Sequence, residues 1–328
     1  MDSEFRPRSP WIGPDLQTLR NTLRGPALPP LETAITRRLI LSIEDGSGDR
    51  LSCLLALPPA EARLRDAPLV VLVHGLGGSE ESNYVQVSAR HFYALGYPVL
   101  QLSLRGAGPS RPLCQGQYHA GRSADFDAVV RALRKHPDTH TAVSLGGIVA
   151  IGYSLGGNML LKYAAEFGDL RGVASVSAPI DLAAASRRIL DSRNWIYHQY
   201  LLRRIKAEAL DAPAGLNESE RALIPKLRTI LEFDDRFVAP HNGFRDAADY
   251  YTQCSAIHAL PKIKIPALVI HAVDDPWIPI ETYRAFPWKQ NPHLEPLFAR
   301  SGGHVGFHAR DSRVPWHDQR LERFLSQL

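Results

Sequence analysis

The chain of 328 residues carries 38 Lys and Arg against 34 Asp and Glu, a net charge of +4, with 45% hydrophobic and 22% charged residues. That length and balance suit one large α/β domain with room for an inserted subdomain, and they exclude a disordered or collagen-like chain. Basic residues are spread along the chain, which argues against a nucleic-acid role. Cys53, Cys114 and Cys254 stand far apart with no C-x-x-C pair, which excludes a disulfide framework and a zinc site and makes a reducing, cytoplasmic setting the expectation.

Residues 1–35 are rich in proline and polar groups and read as an ordered arm with one short helix. No apolar stretch at the N-terminus suits a secretory signal. Residues 37–43 and 51–57 predict two strands around the turn cluster Glu44-Asp45-Gly46-Ser47-Gly48-Asp49, an antiparallel hairpin. The apolar run 69–73 predicts a strand buried on both faces. It is followed by a helix over 83–96 closed by Gly96, a strand over 97–102 and a helix over 123–135. Residues 141–161 carry no formal charge and are long enough to imitate a membrane span. Their five glycines and Ser154 read better as a buried strand (147–151), a sharp turn and a helix (156–167). A strand over 172–177 completes a pattern that predicts a mostly parallel sheet with helices on both faces. The alternation stops over 181–260, a mainly helical, aromatic-rich stretch that is a candidate helical cap inserted over the site, with extra helices packed on the sheet's flank as the alternative. Sheet character resumes at 267–271 and 294–299, and a helix closes the chain over 314–328. The expected organisation is an arm (1–35), a first core part (36–180), the cap (181–260) and a second core part (261–328).

The chemistry centres on Gly152-Tyr153-Ser154-Leu155-Gly156, which fits G-x-S-x-G. A serine on a tight strand-to-helix turn needs neighbours without a Cβ, and it places its hydroxyl at a helix N-terminus. A serine hydroxyl also needs a base, and the base an orienting acid, in the order Ser, Asp or Glu, His along such chains. Asp274 and Asp275 follow the strand ending at His271, and His304 follows the strand ending near Ala299. Asp275 is the expected acid because it lies further out of its strand, with Asp274 as the alternative and as a brace for the turn. The oxyanion hole is expected from the amides of Leu155 and Leu76, the latter in His74-Gly75-Leu76-Gly77-Gly78. His74 is expected to fix that loop. His304 and His308 lack the glutamate of a zincin motif, and the glycine loop lacks a phosphate-loop ending, so no metal and no cofactor is implied.

His74-Gly75-Leu76-Gly77-Gly78, Gly152-Tyr153-Ser154-Leu155-Gly156-Gly157-Asn158 and Gly302-Gly303-His304-Val305-Gly306-Phe307 resemble the α/β-hydrolase superfamily. Within it they are similar to the YheT-like branch of bacterial esterases and eukaryotic ABHD-type lipid hydrolases. Further matching pieces are Gln17-Thr18-Leu19, Arg105-Gly106, Tyr118-His119-Ala120-Gly121, Phe233-Asp234-Asp235 and Asp249-Tyr250-Tyr251 through Cys254-Ser255. The resemblance implies the α/β-hydrolase fold, Ser154 as nucleophile, Asp275 or Asp274 as acid, His304 as base and 181–260 as the cap. It implies a serine hydrolase acting on a small carboxylic ester with an apolar acyl or alcohol group of short to medium length. Eukaryotic relatives carry an N-terminal membrane anchor; no integral membrane anchor is expected here, so action on membrane phospholipid is not carried over. Yeast relatives join acyl-CoA and alcohol, which makes an acyltransferase on the same residues the first alternative. A non-catalytic binding module on the same fold is the second.

Overall fold

The computed structural model describes residues 5–213 and 215–328; the first four residues of the expected arm and position 214 of the expected cap lie outside them. Eight strands are found among the described residues: β1 (Thr36–Ser42), β2 (Arg50–Ala56), β3 (Leu69–Val73), β4 (Val99–Leu102), β5 (Ile148–Tyr153), β6 (Gly172–Val176), β7 (Ala267–Ala272) and β8 (Leu294–Ala299). They form one sheet in the order β1-β2-β4-β3-β5-β6-β7-β8. The β1–β2 hairpin is antiparallel, β2 runs antiparallel to β4, and from β4 to β8 every pairing is parallel. The expected mostly parallel sheet is therefore present.

The helices, in chain order, are α1 (Pro14–Arg24), α2 (Asn83–Ala94), α3 (Ser123–Lys135), α4 (His140–Gly146), α5 (Leu155–Glu166), α6 (Leu182–Ile189), α7 (Trp195–Leu210), α8 (Glu218–Leu223), α9 (Ile230–Phe233), α10 (Ala239–His241), α11 (Ala247–Cys254), α12 (Ile280–Ala285) and α13 (Trp316–Leu325). The period-two geometry of the strands divides the core between the two faces. Leu69, Val71 and Val73 of β3 pack with Phe126, Leu160 and Tyr163 on one side. Val70 and Leu72 pack with Val85, Phe92 and Phe324 on the other. Each such side chain, removed from water, stabilises the fold by roughly 1.5–3 kcal/mol. That is why the central strands read as unbroken apolar runs.

At the sheet's antiparallel end, Arg105 is buried and ties the hairpin to α3. Its guanidinium donates to Asp45, Asp49 and both carboxyl oxygens of Asp125. Leaving the buried Asp49 or Asp125 carboxylate unpaired costs more than the pair itself contributes, so the cluster locks the hairpin onto α3.

Two helices were not among the expected elements. α4 lies inside the uncharged run, where no polar residue marks its end; the break is conformational, at Gly147 with φ +73°. α12 is six residues long and follows a Pro-rich turn, so its pattern is too short to register, yet it buries Ile280 and Tyr283. The expected helix over 83–96 ends at Ala94, and Gly96 takes φ +91° beyond it. A Cβ at Gly96 would lie 2.4 Å from the Ala62 carbonyl oxygen, so this turn admits only glycine.

Between β6 and β7 the chain runs through α6 to α11. This stretch has an apolar cluster of its own, including Tyr197, Leu201, Ile205, Phe233 and Phe237. A second cluster joins Tyr250, Tyr251 and Ala247 of α11 to Leu155 and Ala120 of the core. Leu155 after β5, with Leu76 after β3 packed beside it, belongs to this second cluster, so the inserted helices lie against the carboxyl ends of those strands, where ligands bind in open α/β sheets.

Candidate active site

Ser154 stands between β5 and α5 with φ 51° and ψ −122°, a combination that costs about 1–3 kcal/mol for a residue with a side chain. The surrounding glycines make the turn possible. A Cβ at Gly152 would meet the Gly156 carbonyl oxygen at 2.5 Å, and one at Gly156 would meet the His74 carbonyl oxygen at 2.4 Å. The Ser154 amide donates to the Val176 carbonyl at 2.8 Å, which anchors the strained residue to β6.

The structure brings Ser154, His304 and Asp275 into one hydrogen-bonded line. Ser154 Oγ lies 2.9 Å from His304 Nε2, and His304 Nδ1 lies 2.9 Å from Asp275 Oδ2. A carboxylate can only accept, so Nδ1–H donates to Asp275 and Nε2 is left to accept the serine proton. The other oxygen, Asp275 Oδ1, accepts from the amides of Trp277 at 2.8 Å and Ile278 at 3.0 Å. Burial alone would push this carboxyl up. The opposing charge and hydrogen bond of His304, with His271 and the Trp277 amide, outweigh it and hold Asp275 below the ordinary carboxylate range. Asp274 faces another way, and its Oδ1 accepts the Gly303 amide at 3.0 Å. Burial raises its pKa against the pull of backbone donors.

Leu76 and Leu155 line the same cavity as Ser154. The amides on either side of Leu76 are taken, Gly75 by the Tyr84 hydroxyl at 2.9 Å and Gly77 by the Tyr118 hydroxyl at 2.7 Å. Neither the Leu76 nor the Leu155 amide has a protein acceptor among the described residues. Gly75 approaches so closely that a Cβ there would lie 2.8 Å from Ser154 Cβ. His74 is buried and fixes the loop. Its Nδ1–H donates to the Gly75 carbonyl at 2.8 Å, and its Nε2 accepts from the Leu104 amide at 3.0 Å. Burial pushes its pKa down to about 4, so it stays neutral.

The His304 loop is held by residues whose positions in sequence do not announce the role. Val305 and Phe307 adopt φ of 57° and 49°, unfavourable for any side chain and most of all for a β-branched one. The arm braces them. Thr18 Oγ accepts the His304 amide at 2.8 Å, Gln17 Oε1 accepts the His308 amide at 2.7 Å, and Ser177 Oγ accepts the Val305 amide at 3.2 Å. A Cβ on Gly303 would lie 2.4 Å from the Pro14 carbonyl oxygen, and one on Gly306 2.5 Å from that of Gln17. Trp277 stacks on the His304 ring with centroids 4.2 Å apart, and Tyr197 of α7 packs edge-on against Trp277. The Pro-Trp-Ile-Pro turn after Asp275 carried a signal for a rigid loop, but not for an indole on the imidazole.

Above Ser154 lies a cavity of about 530 Å³ walled by both core and inserted helices, among them Leu76, Leu182, Leu201, Phe233, Tyr250 and Trp277. Its size and its apolar walls interspersed with polar side chains such as His119, Arg204, Glu208 and Asp234 suit a small organic molecule. The family described as alpha/beta hydrolase fold matches residues 68–311. The chain is also 32% identical over 297 residues to the YheT protein of Escherichia coli, named as an esterase, across 87% of this chain and 83% of the relative. The chain belongs to the α/β-hydrolase family, in its YheT and ABHD-type branch. It is 28% identical to the mouse (Mus musculus) phospholipase ABHD3 over 73% of this chain, and it spans 58% of that protein's length. It is 28% identical to a Saccharomyces cerevisiae protein named medium-chain fatty acid ethyl ester synthase/esterase 2, over 82% of this chain and 64% of the relative. Among solved structures of the fold, the Pyrococcus furiosus esterase Pf2001 superposes with a TM-score of 0.56 at 18% identity, covering 89% of this chain and 92% of that one. Among the described residues no helix is long and apolar enough to cross a membrane.

Proposed function

We propose that this α/β-hydrolase cleaves carboxylic esters of short- to medium-chain acyl groups through an acyl-enzyme on Ser154. The observation that carries the reading is the continuous Asp275–His304–Ser154 line, each link 2.9 Å, at the base of the cavity. Ser154 Oγ attacks the ester carbonyl as His304 Nε2 takes its proton. Asp275 keeps the imidazole in the Nδ1–H form and stabilises the imidazolium. The Leu76 and Leu155 amides stabilise the tetrahedral oxyanion, whose negative charge also faces the N-terminus of α5. His304 then protonates the leaving alcohol, activates water, and the acyl group departs as the acid. The chemistry needs no cofactor and no metal. The substrate is a small ester with an apolar acyl or alcohol group. The three buried free cysteines support a reducing, cytoplasmic setting.

The test combines a fluorophosphonate probe with a chromogenic ester panel. Wild type labels at Ser154 and turns over esters, whereas Ser154→Ala and His304→Ala lose at least about 10³-fold in kcat/KM. An unlabelled serine in the folded wild-type chain would overturn the reading and favour a binding module.

Acyl transfer to an alcohol is the second reading, supported by the naming of the yeast relative as a synthase as well as an esterase. Product analysis with an acyl donor and added alcohol separates the two, since ester formation outpacing hydrolysis would select the transferase.

A further inference from the structure

The inserted helices bring polar side chains of their own to the cavity wall, and the acyl-enzyme chemistry makes no use of one of them, Asp234. Asp234 opens a five-residue π-helical segment, Asp234–Val238, between α9 and α10. Such wide turns recur at functional sites because they re-aim one side chain out of the helical repeat. Asp234, Tyr251 and Ser186 all line the cavity, among the apolar walls of Phe233, Tyr250 and Leu182. The three are linked: Tyr251 Oη lies 2.6 Å from Asp234 Oδ2 and 3.1 Å from Ser186 Oγ. Each hydroxyl has one proton, so the chain runs from Ser186 to Tyr251 to the carboxyl, and every donor in it points at Asp234. No protein donor among the described residues reaches the other carboxyl oxygen. Burial pushes the carboxyl up to about 7 against the single stabilising hydrogen bond from Tyr251.

The Asp234 oxygen that Tyr251 leaves free is an acceptor offered to a ligand in the cavity, beside the apolar side chains of Phe233, Tyr250 and Leu182. A hydroxyl on the ligand meets it in either protonation state, since it can donate to the carboxylate or accept from the acid. An ammonium group would require the ionised form that the surroundings disfavour. We propose that Asp234, positioned by Tyr251 and Ser186, is a substrate-binding residue that takes a hydroxyl on a chain of the ester, so that hydroxyl-bearing esters are the preferred substrate class. The proposal rests on the esterase reading of Ser154 and adds the substrate's distal chemistry to it.

The experiment measures kcat/KM on matched 4-nitrophenyl esters of increasing acyl length that end in methyl, hydroxyl or ammonium. Butyrate esters of matched simple alcohols and diols cover the alcohol side. Wild type favours the hydroxyl-ended ester by about tenfold or more at one length in one series, the discrimination a site built for a hydroxyl provides. Asp234→Leu abolishes that preference, lowering kcat/KM on the hydroxyl-ended ester by about tenfold more than on its methyl-ended match. Asp234→Asn, which keeps an acceptor and the shape, retains part of it. A drop of equal size on both members of a pair means that Asp234 only supports the fold, and it overturns the proposal. So does a wild type with no hydroxyl preference at any length, or one that prefers the ammonium-ended ester. Calorimetric binding of the same pairs to Ser154→Ala and to Ser154→Ala/Asp234→Leu reads the subsite without turnover, and equal affinity for methyl- and hydroxyl-ended esters there also overturns it. Failure of fluorophosphonate labelling at Ser154 is a separate result that removes the esterase reading itself.

Discussion

Asp274 and Asp275 share one turn but meet different partners, the first the Gly303 amide at 3.0 Å and the second His304 Nδ1 at 2.9 Å. The turn after β7 sends the two side chains to different partners, so only one of them meets the imidazole, and the sequence leaves open which. The contrast gives a kinetic prediction. Asp275→Asn presents an N–H to Nδ1, forces the proton onto Nε2 and removes the base, with a loss of about 10⁴ in kcat. Asp274→Asn keeps an acceptor oxygen for Gly303 and stays within about tenfold, or roughly 1.4 kcal/mol. Steady-state kcat on a chromogenic ester checks both, and a reversed order would move the acid to Asp274. Ser154 was legible because its requirements are local: strain on one residue and two glycines to relieve crowding. The hydroxyl of Thr18 on the His304 amide was not, because the two positions lie 286 residues apart in the chain.

At the scale of elements, α1 acts as a brace for the loop after β8. Gln17 is fully buried, and its amide group contacts Trp11 and both the amide and the carbonyl of His308. Thr18→Val leaves the His304 amide without its acceptor, a cost of about 1–3 kcal/mol. It lowers kcat by loosening the base while KM changes little. Gln17→Leu orphans the His308 amide two turns of loop away. It lowers the melting temperature, by about 2–4 °C for each kcal/mol lost in a chain of this size, with a smaller effect on kcat. Melting curves beside the kinetic constants separate these outcomes; equal behaviour of the two variants would deny α1 a specific hold on His304. The arm's scattered apolar anchors and the Gln17-Thr18-Leu19 match marked this stretch as ordered, but nothing in its own pattern pointed to the loop it supports.

Across the whole molecule, buried titratable groups set the dependence of stability on pH. Burial, the largest cause in each case, lowers His74 and His271 to about 4 and His119, His308 and His317 to about 3. Each of these contributes stability that is complete above the unfolded value of about 6.5 and is lost as pH falls toward the folded value. Burial acts the opposite way on carboxyls, raising Glu208 and Asp234 to about 7 and Asp318 to about 8. Each of those favours folding less as pH climbs from its unfolded value to its folded one. Between about 4.5 and 6.5 the five histidines outweigh the three carboxyls, and above 6.5 only the carboxyls still titrate. Melting temperature therefore rises to a maximum near pH 6.5 and declines toward pH 8. A curve that climbs steadily through pH 8 would contradict the buried, neutral state of these acids.

Much of the architecture follows from patterns that a short window contains. Five-residue apolar runs become central strands, glycines with φ above zero end helices, and a serine between small residues makes the elbow. These are local consequences of backbone sterics and burial, so they survive in the sequence alone. The tertiary structure decided what depends on side chains meeting across the fold. It turned Asp275 rather than Asp274 toward His304 Nδ1, laid Trp277 on the His304 ring, set the Thr18 hydroxyl on the His304 amide and placed Asp234 on the cavity wall with Tyr251 and Ser186 beside it. Each of those contacts is a few ångströms long and joins separate elements. Its direction is settled by how helices and loops pack on the sheet, which no spacing along the chain records.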